Sequence, residues 1–446
     1  MKKSLLVIGF LAQSTFADAS SLSNEKCWSS KPILKATEES KKVATENELC
    51  AMDFYTGPLS ICPKLNSTFP GVLVIKRPMD MTDSDFKKEY CTNLEAAKDS
   101  KIAKVEAKFK QTTSCSHASS PVAYYRFAEF LGDIKVPVAV FRTMDKAKHL
   151  EVTKTANAFL IGKNDLIAKT WRRFLTLHAN PSQFPDVFQN GVVFGALSEN
   201  IKGEHKFNEI TGLGDYDTGY ERFMKQPAFL AIASSESVVN LAGGADLKSM
   251  AQIVTTMEDV SNMVLIDYLL NQADRMVNVH YKHKLYKLEN GNVLDSKSEA
   301  DVDETTGQTH IPADEQLRIN AGEVLVREII LKDNDCGVSK ENKMRRLGIL
   351  ERVRHMNAKS YRQALKLAAV INTEQGLNYL RTELRLPLNI INGDTTVTGI
   401  KSNILKAAKI IKANCENGTL KLDLNLEKLL ADPNYRESCS AEEPTK

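Results

Sequence analysis

The chain has 446 residues, of which 42% are hydrophobic and 26% charged, and its 59 Lys and Arg against 56 Asp and Glu give a formal net charge of +3. A balance so near neutral excludes electrostatic capture of nucleic acid or of an anionic membrane as the main activity. The apolar share is enough for a large core, in two or three domains or one two-lobed unit.

The N-terminus reads as a secretory signal over residues 1–19. Lys2 and Lys3 form a charged region, Ser4 to Ala12 a short apolar run, and Ala17-Asp18-Ala19 a small-x-small cleavage site. No later stretch approaches the ~20 uninterrupted apolar residues that a membrane-spanning helix needs, so no integral membrane segment is expected and the protein is placed in a periplasm or outside the cell. Cys27, Cys50, Cys62, Cys91, Cys115, Cys336, Cys415 and Cys439 all follow the signal. An even number of cysteines in an exported chain predicts disulfides, with their pairing left open. Their spacing shows no Cys-x-x-Cys and no His-paired cluster, which argues against zinc.

In chain order, residues 20–60 form a polar arm tied down through Cys27 and Cys50. Gly71 to Lys76 reads as a strand and Asp83 to Lys98 as a helix; Ile102 to Lys110 alternates with period two, as a half-buried strand does. Pro121 to Gly132 is a helix with Pro near its start and Gly at its end. A strand over 136–142, a helix over 166–178 and a strand over 191–197 follow. Beyond the glycines at 212, 214 and 219 the chain turns mainly helical. Met257 to Asn271 is its clearest helix, with Val260, Met263, Val264 and Tyr268 on one face. Lys287 to Val293 has the pattern of a hairpin turn. Residues 295–315 read as an acidic, mobile insertion, and long helices are predicted over 340–356 and 359–384. Strands with interposed helices, then a mainly helical remainder, define an α+β class.

Two segments carry the candidate chemistry. Leu265 to Tyr281 runs from a helical apolar stripe into Asp274-Arg275, with Asn278 four residues past the Asp. An Asp with a nearby Asn at a helix-to-strand junction is how phosphoryl-transfer enzymes set a base beside a metal ligand. The apolar run Val324 to Leu331 then ends in Lys332-Asp333-Asn334-Asp335-Cys336-Gly337, a second cluster of carboxylates. Asp335 reads as a turn residue and Asp267 as structural. His280 and His283 are expected in solvent, and Cys336 in a disulfide. The chain has no Gly-x-Ser-x-Gly, no His-Glu-x-x-His and no Walker loop.

The order of these pieces resembles the atypical kinases that group with the Golgi casein kinases and the bacterial HipA-type kinases. Ala123 to Val138 resembles their N-lobe helix, ending in Leu-Gly and running into a Val-Pro strand. Leu265 to Val279 resembles their catalytic segment, and Ile330 to Asp335 their Asp-Asn-Gly metal segment. The resemblance covers about a third of the chain. It implies a two-lobed kinase-like fold, with an N-lobe over 61–200 and a C-lobe over 201–446 that carries the 295–315 insertion. It also implies ATP and Mg²⁺ or Mn²⁺ as cofactors and a protein hydroxyl as acceptor. Asp274 matches the catalytic Asp, and Asn278 and Asp333 the metal ligands. Lys110 is the first choice for the nucleotide lysine, ahead of Lys108 and Lys76.

The chain also departs from that pattern. Ser119-Ser120-Pro121 stands where related kinases carry a Glu, Asp335 where Gly is usual, and 58 residues separate Asp274 from Asp333. No Gly-rich phosphate loop precedes Lys110. A catalytically inactive pseudokinase and a disulfide-stapled envelope protein without nucleotide are the alternatives. Convergence of the named residues on one cleft is what would separate the kinase readings from the envelope protein.

Overall fold

The computed structural model describes residues 24–33, 40–93, 102–113, 116–132, 134–214, 216–303, 305–338, 341–386 and 397–440. The expected signal at 1–19 lies outside them. The chain is a mixed helix-and-strand protein, as the sequence pattern leads one to expect, and its sheets are antiparallel.

The larger sheet contains β1 (Cys27–Trp28), β2 (Leu59–Pro63), β3 (Val72–Lys76), β4 (Lys104–Gln111), β5 (Ala139–Asp145), β6 (Phe188–Gln189) and β7 (Val192–Glu199). Its order is β1-β5-β7-β4-β3-β2, with β6 paired to β7. Strand β4 is central, and its alternation sorts the chemistry. Ala107 and Phe109 are fully buried, and Phe109 meets His149 edge-on, on the Lys146–Phe159 helix. Lys108 and Lys110, on the opposite side of the pleat, face the segment that begins at Lys332.

The smaller sheet contains β8 (His205–Lys206), β9 (Val279–Glu289), β10 (Asn292–Lys297) and β13 (Val324–Leu331), in the order β10-β9-β13 with β8 on β9. The turn between β9 and β10 is Asn290-Gly291, both at positive φ, which is the two-residue hairpin chemistry expected there. The Leu247–Leu270 helix packs on β13. It is buried without interruption from Val260 to Leu270, because its apolar residues surround it rather than forming one stripe. It is longer than the sequence pattern suggests, starting where Asp246 caps Ser249 N.

Other expectations need correcting. The helix at 83 ends at Tyr90, and residues 94–101 lie outside the described part. Residues 295–315 are not a bare loop: β10 runs to Lys297, Asp301–Val302 (β11) pairs with Thr309–His310 (β12), and a helix spans Ala313–Asn320. Within 340–356 there are only short turns, at Lys343–Arg346 and Leu350–Arg352. The 359–384 span is two helices, Ala358–Ile371 and Glu374–Thr382, because Thr373 caps Gly376 N and starts a new one. The Lys146–Phe159 and Val397–Glu416 helices are additions that the sequence reading lacked. His280 and His283 are buried rather than in solvent.

Three disulfides join described cysteines: Cys27–Cys50, Cys62–Cys91 and Cys415–Cys439. Cys336 is disulfide-bonded as well. The first two tie a helix or its end to a strand, and the third ties the Val397–Glu416 helix to a turn at Cys439; the first holds the arm to the large sheet, since β1 pairs with β5. Among the described residues, no helix is long and apolar enough to cross a membrane.

Behind β4, His149 Nδ1 lies 2.8 Å from His178 Nε2, packed among Phe109, Phe174 and Phe188. Burial, then His178, pushes His149 down to about 3; burial, then Lys146, pushes His178 down to about 4. A histidine depressed on folding binds its proton more readily in the unfolded chain. Its stabilisation is therefore intact above the unfolded value near 6.5 and is lost as the pH falls through the folded value. Thermal unfolding should show a transition temperature that drops steadily between pH 6.5 and 4. The His178→Gln variant should flatten that slope, and an unchanged slope would show that the pair is not its source.

Candidate functional site

The site is built around one buried arginine. The Leu247–Leu270 helix ends at Asn271, whose left-handed φ of 54° turns the chain. The Asn403 amide donates to the Asn271 side-chain oxygen at 2.6 Å and supports the turn. Four residues further on, Arg275 is fully buried. Its Nε and Nη2 donate to the two carboxylate oxygens of Asp267 at 2.9 and 3.1 Å. The remaining donors reach Asn334 Oδ1 at 2.6 Å and Lys332 O at 3.0 Å. Asp267 also accepts from Tyr124 of the Ser119–Leu131 helix at 2.7 Å. One guanidinium thus joins three segments distant in sequence. Arg275 thus pairs with Asp267 rather than with its neighbour Asp274, and Asp267 has the structural place expected of it.

The 333–338 segment is fastened on both sides. Ala273 N donates to Cys336 O at 3.1 Å and Val338 N to Leu270 O at 2.5 Å. On the other side, Ser120 Oγ donates to Asn334 O at 2.5 Å and His117 N to Asp335 O at 2.8 Å. Gly337 permits this contact: a Cβ there would lie 2.4 Å from Ser120 Oγ and 2.6 Å from the Tyr124 ring. Asp333 itself sits at φ 51°, a left-handed conformation that Asp tolerates better than most residues.

The structure brings Lys110, Asp274, Asn278, Asp333 and Asp335 to the lining of one cleft of about 1030 Å³. Lys110 is buried, and its Nζ donates to Asp335 Oδ2 at 3.0 Å and to Phe69 O at 3.1 Å. Its stem passes against Gly71, where a Cβ would lie 2.9 Å from Lys110 Cδ. Lys108 lines the cleft too, whereas Lys76 is exposed at the end of β3. Asn278 Nδ2 donates to Asp274 Oδ2 and to Asp274 O, each at 3.0 Å. Asp335 is no mere turn residue: it is buried and ion-paired with Lys110.

The carboxylates differ in their electrostatics. Asp274 is raised to about 6, by burial first and then by the negative charges of Asp335 and Asp333. Burial works against ionisation of Asp333 as well, but Lys64, Lys108, Lys110 and Lys332 outweigh it and hold the carboxyl well below the usual range. Asp335 is also held low, since Lys110 overrides its burial. Neighbouring carboxyls pushed in opposite directions are how one site keeps an acid–base group beside a permanent anion.

Several participants were not legible as such. Lys64 reaches Asp333 Oδ1 at 3.8 Å from the end of β2, and Glu204 pairs with Lys332. Ser120, in the segment where a Glu is expected, instead holds the 334–337 backbone. Only Pro70-Gly71 before an apolar strand offered a sequence signal for the tight passage beside Lys110. The chain matches no protein-family profile and no curated protein.

Asp267→Asn should leave the Arg275 charge buried and underpaired, a change that costs about 3–5 kcal/mol in comparable buried pairs. Urea unfolding monitored by circular dichroism measures it. A loss below about 1 kcal/mol would mean that the arginine is not the fastening described here.

Proposed function

We propose that the chain is an exported, kinase-like phosphotransferase that moves the γ-phosphate of ATP to a protein hydroxyl. The observation that carries this reading is that Lys110, Asp274, Asn278, Asp333 and Asp335 come from separate segments and line one cleft. The strand order β5-β7-β4-β3-β2, with the Ser119–Leu131 helix beside β5 and β7 and a helix-rich remainder, supports a two-lobed arrangement of the kinase type. The disulfides support export, since they persist in oxidising compartments.

In this reading Asp274 takes or orients the proton of the acceptor hydroxyl, and the Asn278 amide fixes the direction of its carboxylate. Lys110 holds the nucleotide phosphates. Asp335 clamps Lys110, doing from the metal segment what a helix Glu does in the related kinases, where this chain has Ser119-Ser120-Pro121. Asp333, kept ionised, and the Asn278 amide oxygen are hard oxygen donors that would hold Mg²⁺ or Mn²⁺. Such an ion, when bound, neutralises and positions the phosphate oxygens. It takes most of its ligands from phosphate and water. The donor set therefore fits it, although among the described residues no group of three or more His, Cys, Asp or Glu side chains is arranged as a metal cage.

A nucleotide-binding pseudokinase is the second reading, favoured by the Lys64 ammonium lying on Asp333, where a metal would bind.

Thermal shift separates these readings. Millimolar ATP with Mg²⁺ or Mn²⁺ should raise the transition by several degrees, since ligand at 100 times its Kd adds about 2.7 kcal/mol. Asp333→Ala should abolish the metal-dependent part. No shift with either metal would sink the active-kinase reading; a shift that needs no metal and survives Asp333→Ala would leave the pseudokinase.

For transfer itself, Asp274→Asn should lower the rate by about 10²–10⁴-fold. The wild-type rate should rise with pH through about 6 and then level off, because Asp274 must be ionised. The stability sign is opposite. A carboxyl raised on folding favours the native state below its unfolded value, and this is lost as the pH climbs through about 6. Asp274→Asn should therefore melt higher than wild type at pH 7, by on the order of 1–2 kcal/mol after discounting for its partial exposure. The two proteins should converge near pH 4. A lower melting temperature at pH 7 would contradict the electrostatic account.

A further inference from the structure

We propose that Lys64 and Lys108 are phosphate-binding residues, and that the cleft recognises its ligand through a polyphosphate chain rather than through a nucleobase. This deepens the nucleotide reading above and rests on it only for the identity of the ligand's remainder.

Four ammonium groups gather around Asp333, from the end of β2 (Lys64), from β4 (Lys108 and Lys110) and from the end of β13 (Lys332). Two of them are committed. Lys110 is held by Asp335 and Phe69 O, and Lys332 is paired with Glu204. The other two are held less firmly. Lys64 has a long ion pair with Asp333, at 3.8 Å and beyond hydrogen-bond distance, and Lys108 makes no ion pair among the described residues. Yet both are substantially withdrawn from water. The Lys64 side chain is 15% exposed and Lys108 is half-buried. A half-buried ammonium without a partner is costly to keep unless an anion completes it.

The surroundings point the same way. The turn from Lys64 to Gly71 is not rich in glycine, and Gly71 is needed where Lys110 passes. In place of a glycine-rich backbone cradle, the turn offers the side chains of Asn66, Ser67 and Thr68 to the cleft. The lining carries Lys64, Lys108, Lys110, Lys206 and Lys332 against Glu204, Asp274, Asp333 and Asp335, a cationic excess in a chain that is nearly neutral as a whole. Behind Lys108 the cleft narrows to a recess of about 40 Å³ edged by Pro137, Glu199 and Ile201. That space is too small to seat a base, and in the wider cleft the apolar residues, such as Leu65 and Leu166, share the lining with the lysines. The five lysines give the lining a handle for anions, and three linked phosphates match it.

Isothermal titration at fixed ionic strength, without metal, tests this with inorganic tripolyphosphate, ATP and GTP, and with sulfate as a control. Tripolyphosphate should bind, sulfate should be at least tenfold weaker, and ATP and GTP should fall within tenfold of each other. Lys108→Gln and Lys64→Gln should each weaken all three polyphosphates by about tenfold or more, the effect of losing one charge-assisted hydrogen bond. Lys154→Gln, on an exposed surface, should change nothing. Lys64 lies in a turn, so its variant keeps the test sound if the strand variant folds poorly.

Absence of tripolyphosphate binding, or binding that neither substitution weakens, overturns the proposal. If ATP with Mg²⁺ binds independently of both lysines, the proposal falls while the nucleotide reading stands. If tripolyphosphate binds through them but metal and nucleoside add nothing and no transfer occurs, the kinase reading falls and this proposal stands.

Discussion

The buried pair of Arg275 and Asp267 is the constraint on which the rest of the cleft depends. Taking two charges out of water is unfavourable unless nearly every donor and acceptor is satisfied. Here that requirement is met by recruiting the Lys332 carbonyl, the Asn334 side chain and the Tyr124 hydroxyl. The long helix, the loop after it, the end of β13 and the Ser119–Leu131 helix are thereby fixed relative to one another. Asp274 and Asp333 need no direct contact with each other to be held on one cleft. Their neighbours in sequence, Arg275 and Asn334, make the contact for them.

Electrostatic order follows from that placement. Three carboxylates close together would raise one another if left alone, and Asp274 shows it. Asp333 and Asp335 escape because lysines from both sheets reach them, so the same small volume holds one carboxyl poised near neutrality and two that stay ionised. The cost is carried by the lysines, two of which are half-buried without a full partner. Under the function proposed above, the carboxyl near neutrality and the loosely held lysines would meet an anionic ligand bearing a reactive oxygen.

How much of this could be read from the residues varies with the range of the interaction. Asp274, Asn278 and Asp333 were legible because a helix running into a polar junction, and a strand running into a carboxylate cluster, are local patterns. The partner of Lys110 was not. An expectation built on helix position looked for a Glu near residue 119 and set Asp335 aside as a turn residue, although 225 residues of chain separate Lys110 from the Asp335 it meets. Burial of His280 and His283 was missed for a similar reason: alternation along β9 says that two faces differ, but not that β8 pairs alongside His280 or that Ala300 O meets His283.

The helices divide in the same way. The 247–270 helix was recognised because its apolar content is high enough to require burial wherever it lies, but its start depended on a single capping Asp. The 340–356 span has helix-forming residues, yet Met344, Ile349, Leu350, Val353 and Met356 are all buried in the core, and reaching it from an irregular path was better than one straight rod. By itself the sequence determined the period of each segment, the even set of cysteines and the two polar junctions, since these rest on neighbouring residues and local backbone preference. Only the tertiary structure decided which cysteines, charges and junctions meet. Those pairings are set by close packing and by the demand that each buried charge find its complement, and both act between residues that the order of the chain leaves far apart.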